Sequence, residues 1–102
     1  MTLREKIAQM VVANAVPENF QEGSAELKKF KKLCEETKVG GFIFFKGSSS
    51  DYARLSNILQ SYSDVPLLIG SDFERGTRMR VTDGALFPNN MAIGAADNYD
   101  LA

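Results

Sequence analysis

The hydrophobic pattern at the amino terminus predicts a short helix followed by a strand. Thr2 to Glu5 reads Thr-x-x-Glu, a capping-box pattern that begins a helix. The apolar positions of that helix fall on one face, at Leu3, Ile7, Met10 and Val11. A run of small and β-branched apolar residues then extends from Met10 to Val16 and stops at Pro17, which predicts the first strand.

The next segment predicts an amphipathic helix and a second, fully apolar strand. Ser24 is suited to cap the helix, whose apolar side carries Ala25, Leu27, Phe30, Cys34 and Thr37. The opposite side carries Lys28, Lys29, Lys31, Lys32, Glu35 and Glu36, which we interpret as the solvated face. After Gly40-Gly41, the run Phe42–Phe45 is apolar without interruption. Such a run is typical of a parallel sheet covered on both faces.

A third helix and strand complete the regular part of the chain. The segment Lys46–Ser50 predicts a turn, and we expect Ser50 or Asp51 to cap a helix. The inward positions of that helix are Tyr52, Leu55, Ile58, Leu59 and Tyr62. Val65–Ser71 is a third apolar run and predicts another strand. Alternation of strands and helices indicates right-handed parallel crossovers and an α/β fold.

We expect the part of the chain that follows the third strand to be loop-like. Asp83-Gly84 and Pro88 are typical of turns, and Asp97 is suited to cap a further helix at the end of the sequence. About three parallel strands with two covering helices would bury only a thin core and leave open sheet edges. We therefore expect residues 1–102 to be a truncated part of a larger domain.

Composition and charge exclude several classes of partner. The 102 residues include 12 Lys and Arg against 13 Asp and Glu, so no field of one sign favours nucleic acid or an anionic membrane. The apolar runs are too short to span a bilayer. The sequence shows no signal-peptide pattern, and the cytoplasm and the periplasm both remain possible.

Histidine is absent, and Cys34 is the single cysteine. Metal sites built on imidazole and nucleophiles activated by histidine are therefore not expected within this sequence. We interpret Cys34 as a buried residue of a helix face, because it lies in an apolar stripe. Nothing in the sequence indicates a cofactor.

The segment after the third strand is the candidate binding loop. Ligands of parallel α/β folds bind beyond the carboxyl ends of the strands, and Asp72 follows the third strand directly. If the backbone stays extended, Glu74 shares a face with Asp72, and Arg78 and Arg80 follow in the same phase. Carboxylates and arginines suit sugar hydroxyls, as acceptors and as donors.

Structural explanations compete with binding roles, both for the candidate binding loop and for the turn before the third helix. The charged residues of a long loop often pair with one another and hold the loop in shape. The segment Lys46-Gly-Ser-Ser-Ser50, lying before a helix, could cradle an anion with its backbone amides. It matches no phosphate-loop pattern, however, so we favour ordinary turn formation over anion binding for this segment.

Four segments together resemble glycoside hydrolase family three, most closely its bacterial β-N-acetylglucosaminidases. They occur in the family's order and spacing along essentially the whole chain, and they read Thr2-Leu-Arg-Glu-Lys-Ile-Ala-Gln-Met10, Val39-Gly-Gly-Phe-Ile-Phe-Phe45, Pro66-Leu-Leu-Ile-Gly-Ser-Asp72 and Phe87-Pro-Asn-Asn-Met-Ala-Ile-Gly94. The resemblance implies the first three strands of a TIM-type (β/α)8 barrel. It also implies retaining cleavage of β-linked sugars through a covalent glycosyl-enzyme intermediate.

The resemblance also implies roles for particular residues. The family's aspartate at the position of Asp72 binds substrate hydroxyls beside the scissile bond, and its arginine at the position of Arg80 assists it. The family motif Asp-x-Glu-Gly-Gly-Arg is matched at Asp72 and Glu74, but Arg75 replaces a glycine and Thr77 replaces an arginine. These changes affect the expected path of the loop before Arg80, and Glu74 is the weaker binding candidate.

The family's nucleophilic aspartate and histidine-centred acid/base motif come later in the barrel than this sequence extends. We therefore expect no catalytic residue in the chain, and no turnover by the chain alone. The expected partners are a carbohydrate substrate and the remainder of the barrel, in the same or a separate chain.

Two non-catalytic alternatives remain. A receiver-type signalling module also has an aspartate at the end of its third strand. It needs an acidic pair after the first strand, however, where this chain has Asn14 to Pro17. A half-barrel that completes itself with another copy would form a homo-oligomer through its open strand edges.

Overall fold

The computed structural model describes residues 1–98 and residue 100, and its centre is a three-stranded parallel sheet. The strands lie in the order β1-β2-β3, with β2 in the middle. The helices and strands, in chain order, are α1 Leu3–Ala8, β1 Val12–Ala15, α2 Ala25–Lys32, β2 Gly41–Phe44, α3 Ser49–Ser61, β3 Leu68–Ser71 and α4 Asn90–Ala95. The chain is thus an α/β protein whose parallel strands and helices are consistent with part of a TIM-type barrel.

The helices begin at side chains that satisfy their first backbone amides. Thr2 forms the predicted capping box with Glu5, and Ser24 accepts a hydrogen bond from the amide of Leu27 at 3.1 Å. The prediction that Ser50 or Asp51 caps α3 is wrong. Ser48 is the cap, and Asp51 completes a second capping box by accepting from the Ser48 amide at 2.9 Å.

The first and third strands are shorter than the apolar runs that predict them, and the second has the predicted length but begins one residue earlier. Met10 and Val11 still form turn hydrogen bonds at the end of α1, so β1 begins after them. The third run begins pairing only at Leu68, because the Gln60 side chain binds both the amide and the carbonyl of Leu67 at 2.9 Å. Pairing of the second strand continues by one hydrogen bond beyond Phe44, because the amide of Phe45 donates to the carbonyl of Ala15 at 3.1 Å.

Helices cover only one face of the sheet. On that face, Phe42 and Phe44 of β2 are fully buried, together with Leu55 and Leu59 of α3. The other face, which we call the bare face, carries alternate residues of each strand, and Leu68 there is 74% exposed. Coverage of both faces, expected from the apolar run in β2, is therefore not found among the residues that the structure describes.

The apolar side of α1 is also exposed, contrary to the usual outcome of such a pattern. Leu3 is 74% and Ile7 is 57% exposed, and only Ala8 of this helix is buried. The helix is instead held at the amino-terminal end of β2 by polar contacts. The side-chain amide of Gln9 donates from Nε2 to the carbonyl of Lys38 at 2.7 Å, and the Lys38 ammonium lies 3.2 Å from the Glu5 carboxylate.

Helix α2 confirms the amphipathic prediction in its centre. Leu27 and Phe30 of α2 are buried, as is Cys34 just beyond it, whereas Ala25 and Thr37 are exposed. The exposed lysines form the predicted solvated face. After α2 the chain continues as a π-helical turn over Leu33–Thr37. None of the helices in the described residues is long and apolar enough to cross a bilayer.

The segment after β3 contains more regular structure than the turn-rich sequence predicts. A 3-10 turn occupies Thr77–Met79, and α4 occupies Asn90–Ala95. Asp97 follows α4 in the left-handed region, with φ at 47°. The helix that we expect Asp97 to cap lies largely outside the described residues.

Candidate functional site

The carboxyl ends of β2 and β3 bring Phe45 and Asp72 to neighbouring positions. Phe44 pairs in register with Ser71. The residues that follow them in the chain are Phe45 and Asp72. Phe44 and Ser71 contact Tyr52 of α3, so they face the helices. Because side chains alternate along a strand, Phe45 and Asp72 are directed to the bare face.

Hydrogen bonds on the helix side anchor the end of β3 beneath Asp72. The Ser71 hydroxyl donates to the carbonyl of Phe44 at 2.6 Å and lies 3.3 Å from the Tyr52 hydroxyl. The Phe44 ring packs edge-on against Tyr52, with ring centroids 5.3 Å apart. These contacts fix the backbone from which the Asp72 carboxylate projects.

Arg80 reaches the same edge from the loop that follows β3. Its guanidinium carbon lies 5.0 Å from the centre of the Phe45 ring, in a cation–π contact. Its carbonyl accepts a hydrogen bond from the amide of Gly47 at 3.2 Å, so its backbone is docked beside the end of β2. The Nε atom of Arg80 is buried and has no hydrogen-bond partner in the part of the chain described. Asp72 and Arg80 therefore lie at the same carboxyl edge of the sheet, with no ion pair between them in the described residues.

Glu74 does not share the predicted alignment with the arginines. The amide of Gly76 donates to the carbonyl of Phe73 at 3.1 Å, Gly76 has φ at 80°, and the 3-10 turn follows. The backbone therefore turns, and the two-residue phase that we expected to relate Asp72 to Arg78 and Arg80 is wrong. Glu74 is exposed and makes no side-chain hydrogen bond or ion pair with the described residues.

Asp83 fastens the loop to the amino terminus of α3. Its carboxylate accepts hydrogen bonds from the hydroxyl and the amide of Ser49, the latter at 2.7 Å. The Ser49 hydroxyl, followed by the Ser49 amide, lowers the pKa of Asp83 below its usual value. The carboxylate of Asp51 accepts a hydrogen bond from the neighbouring amide of Ser48. The helix terminus that the sequence offered to an external anion is thus filled by the protein's own carboxylates.

The loop's charged side chains do not hold it in shape by pairing with one another. Within residues 1–98 and residue 100, the ion pairs join Lys31 to Glu35, Lys38 to Glu5 and Asp64, and Lys46 to Glu18. None involves the candidate binding loop, which is fastened by Asp83 and by backbone bonds from Gly47 and Thr82. Across the same residues, no three His, Cys, Asp or Glu side chains are grouped so as to hold a metal ion.

Sequence reasoning missed two residues of this site. Phe45 was interpreted as part of an apolar core run, although strand alternation separates it from its buried neighbour Phe44. Asp83 was interpreted as a turn residue because Gly84 follows it. Nothing in the sequence indicates that Asp83 reaches Ser49, since that contact depends on the path of the loop.

Comparison with known proteins identifies the family. The model of the glycosyl hydrolase family 3 N terminal domain matches residues 2–102, nearly the whole sequence, in agreement with the parallel α/β fold. No curated protein sequence matches the chain. The chain belongs to the glycosyl hydrolase family 3 N-terminal domain family.

Proposed function

We propose that this chain supplies sugar-binding residues of a retaining glycoside hydrolase that acts on β-linked sugars such as N-acetyl-β-glucosaminides. Glycoside hydrolase activity in general follows from the family. The finer proposal gives Asp72 the role of accepting hydrogen bonds from sugar hydroxyls. Arg80 donates to the same sugar, and Glu74 has a weaker binding role.

The placement of Asp72 and Arg80 at the same carboxyl edge of the sheet is the observation that carries the proposal. Asp72 is exposed and forms no ion pair with a described residue, so its oxygens are available as acceptors. Arg80 lies against Phe45 and not against a carboxylate, so its charge is not neutralised by a partner in the described chain. A rigid acceptor beside an oriented donor suits vicinal hydroxyls.

We assign bond cleavage to residues outside this sequence. The sequence contains no histidine for a histidine-centred acid/base. The proposed partner is the remainder of the barrel, in the same or a separate chain, which would pack on the bare face and complete the site. The isolated chain is therefore expected to bind sugar weakly and to release no product.

Binding is tested by titrating the 15N-labelled chain with N-acetylglucosamine and following amide shifts by NMR. A charged hydrogen bond contributes about 1.5–3 kcal/mol, so Asp72→Ala should weaken binding by roughly tenfold or more. Asp64→Ala is the matched control, because Asp64 is an exposed aspartate in the turn before β3, at the opposite end of that strand. Equal affinities of the two variants would contradict the role of Asp72.

Activity is tested with 4-nitrophenyl N-acetyl-β-glucosaminide and the purified chain. We expect no release of 4-nitrophenol above the buffer control. Sustained turnover that follows the protein through purification and disappears in Asp72→Ala would overturn the assignment of catalysis to residues elsewhere.

A further inference from the structure

A separate cavity of about 690 Å³ lies between the 3-10 turn Thr77–Met79 and α4. Its size falls in the range of small-molecule sites, about 300–1,000 Å³. Two arginines, Arg75 and Arg78, line it together with the apolar residues Met79, Leu86, Phe87 and Pro88. The cavity thus combines positive charge with an apolar wall.

Backbone and packing contacts join the two sides of this cavity. The amide of Arg78 donates to the carbonyl of Ala85 at 3.2 Å, which ties the turn to the segment before α4. Phe87 packs on Gly76 so closely that a Cβ atom at Gly76 would lie 2.6 Å from the Phe87 ring. Gly76 also has φ at 80°, a region that disfavours other residues. The cavity is therefore a product of the fold and not of a loose loop.

Arg75 and Arg78 differ from Arg80 in the contacts that their positive charges make. Arg80 stacks on Phe45, whereas neither Arg75 nor Arg78 forms a cation–π contact or an ion pair within the described part of the chain. Two arginines that line one cavity without a carboxylate partner favour an anion. Leu86 and Phe87 are 77% and 56% exposed, and covering them favours a ligand whose charge is attached to an apolar body.

We propose that this cavity binds an amphipathic anion, a carboxylate or phosphate group carried on an apolar body. Arg75 and Arg78 hold the anionic group, and the Leu86–Pro88 wall covers the apolar body. The proposal does not rest on the sugar-binding role of Asp72, because the cavity is lined by other residues. Failure of either proposal leaves the other standing.

The test uses 2-naphthoate and 2-naphthyl phosphate as probes and 2-naphthamide as the uncharged control. Each is titrated into the 15N-labelled chain, and the amide shifts of residues 75–92 report on occupancy of the cavity. We expect both anions to bind at least tenfold more tightly than the amide. Preference between the two anions then identifies which anionic group the cavity favours.

Substitutions distinguish binding in the cavity from a general attraction of the anions to positive charge. In the double variant Arg75→Gln, Arg78→Gln, the affinity for both anions should fall at least tenfold, to that of the amide. Arg4→Gln, on the exposed part of α1, should leave it unchanged. Because exposed Arg-to-Gln changes leave the core intact, thermal melts should match. Binding of the amide as tight as that of the anions, shifts confined to other regions, or no binding at millimolar probe would overturn the proposal.

Discussion

At the scale of single residues, Gly40 is the glycine with the least room for a side chain. A Cβ atom there would lie 1.9 Å from the carbonyl oxygen of Gln9, and the atoms that it would meet are backbone atoms, which cannot rotate away. We expect Gly40→Ala to destabilise the fold by about 3 kcal/mol or more, because overpacking forces the backbone apart. Urea denaturation followed by circular dichroism measures the change.

Gly70 provides the matched control for this prediction. It lies in β3 with no atom within 4 Å of the position of a Cβ. Gly70→Ala should therefore be neutral or stabilise by about 0.4–1 kcal/mol through the unfolded chain. Equal destabilisation by the two substitutions would show that the contact with Gln9 is not what constrains Gly40.

Cys34 is predicted to be an unreactive thiol. It is 2% exposed, and burial, followed by the charge of Glu35, raises its pKa to about 11. At pH 8 only about a thousandth of the thiol would be thiolate, the form that reacts. We expect iodoacetamide to label the native chain at least a hundredfold more slowly than the chain in urea, as measured by mass spectrometry. Rapid labelling of the folded chain would contradict burial of this residue.

The residues of the core could be predicted from sequence, but part of the candidate site could not. Leu27, Leu55 and Leu59 are buried as their helical periodicity predicts. Asp72 could be predicted as well, because it follows a strand. The position of Arg80 on Phe45 could not, since it depends on a turn at Gly76 that breaks the extended phase.

At the scale of elements, the attachment of the binding loop to α3 depends on the charge of Asp83. The hydrogen bonds from Ser49 lower the pKa of Asp83 below its usual value of 3.8. A carboxylate with a lowered folded pKa stabilises the fold above its unfolded pKa, and that contribution is lost as the pH falls through the folded pKa. Wild-type protein should therefore be more stable than Asp83→Asn at pH 7, and the difference should disappear well below pH 3.8.

Amide hydrogen exchange and thermal melts at a series of pH values measure this effect. We expect Asp83→Asn to increase exchange at the backbone bonds of Gly47 and Thr82, which join the loop to the end of β2. The control Glu22→Gln changes an exposed carboxylate that makes no side-chain hydrogen bond or ion pair with the described residues. A constant difference between wild type and Asp83→Asn from pH 7 to pH 2 would exclude titration of Asp83 as the cause.

The elements also show where hydrophobic periodicity is an incomplete guide. The order of strands and helices was predictable, because each apolar run and cap occurs at a distinct place in the sequence. The lengths of the strands were not predictable. The backbone amide and carbonyl of Leu67, for example, bond to the Gln60 side chain and not to a neighbouring strand. The apolar stripe of α1 predicts packing, yet polar contacts from Gln9 and Glu5 determine how the helix is attached.

At the scale of the whole molecule, the sheet presents two unlike faces. The helix-covered face contains the fully buried Phe42 and Phe44, whereas Val12 and Leu68 on the bare face are 53% and 74% exposed. Val12 and Leu68 both pair in register with Gly41, so they lie in one row across the sheet. Exposed apolar rows on a sheet with unpaired edges favour association with further strands.

The last prediction is that the isolated chain associates through this row. Light scattering after size exclusion should give a mass that rises with concentration above the 11.2 kDa of one chain. Leu68→Lys should shift the mass toward the monomer, because a charge on the bare face opposes its burial. Met91→Lys, at a residue 85% exposed on α4, should not. A wild-type mass of 11.2 kDa at all concentrations, or equal effects of the two lysines, would show that the bare face does not drive association.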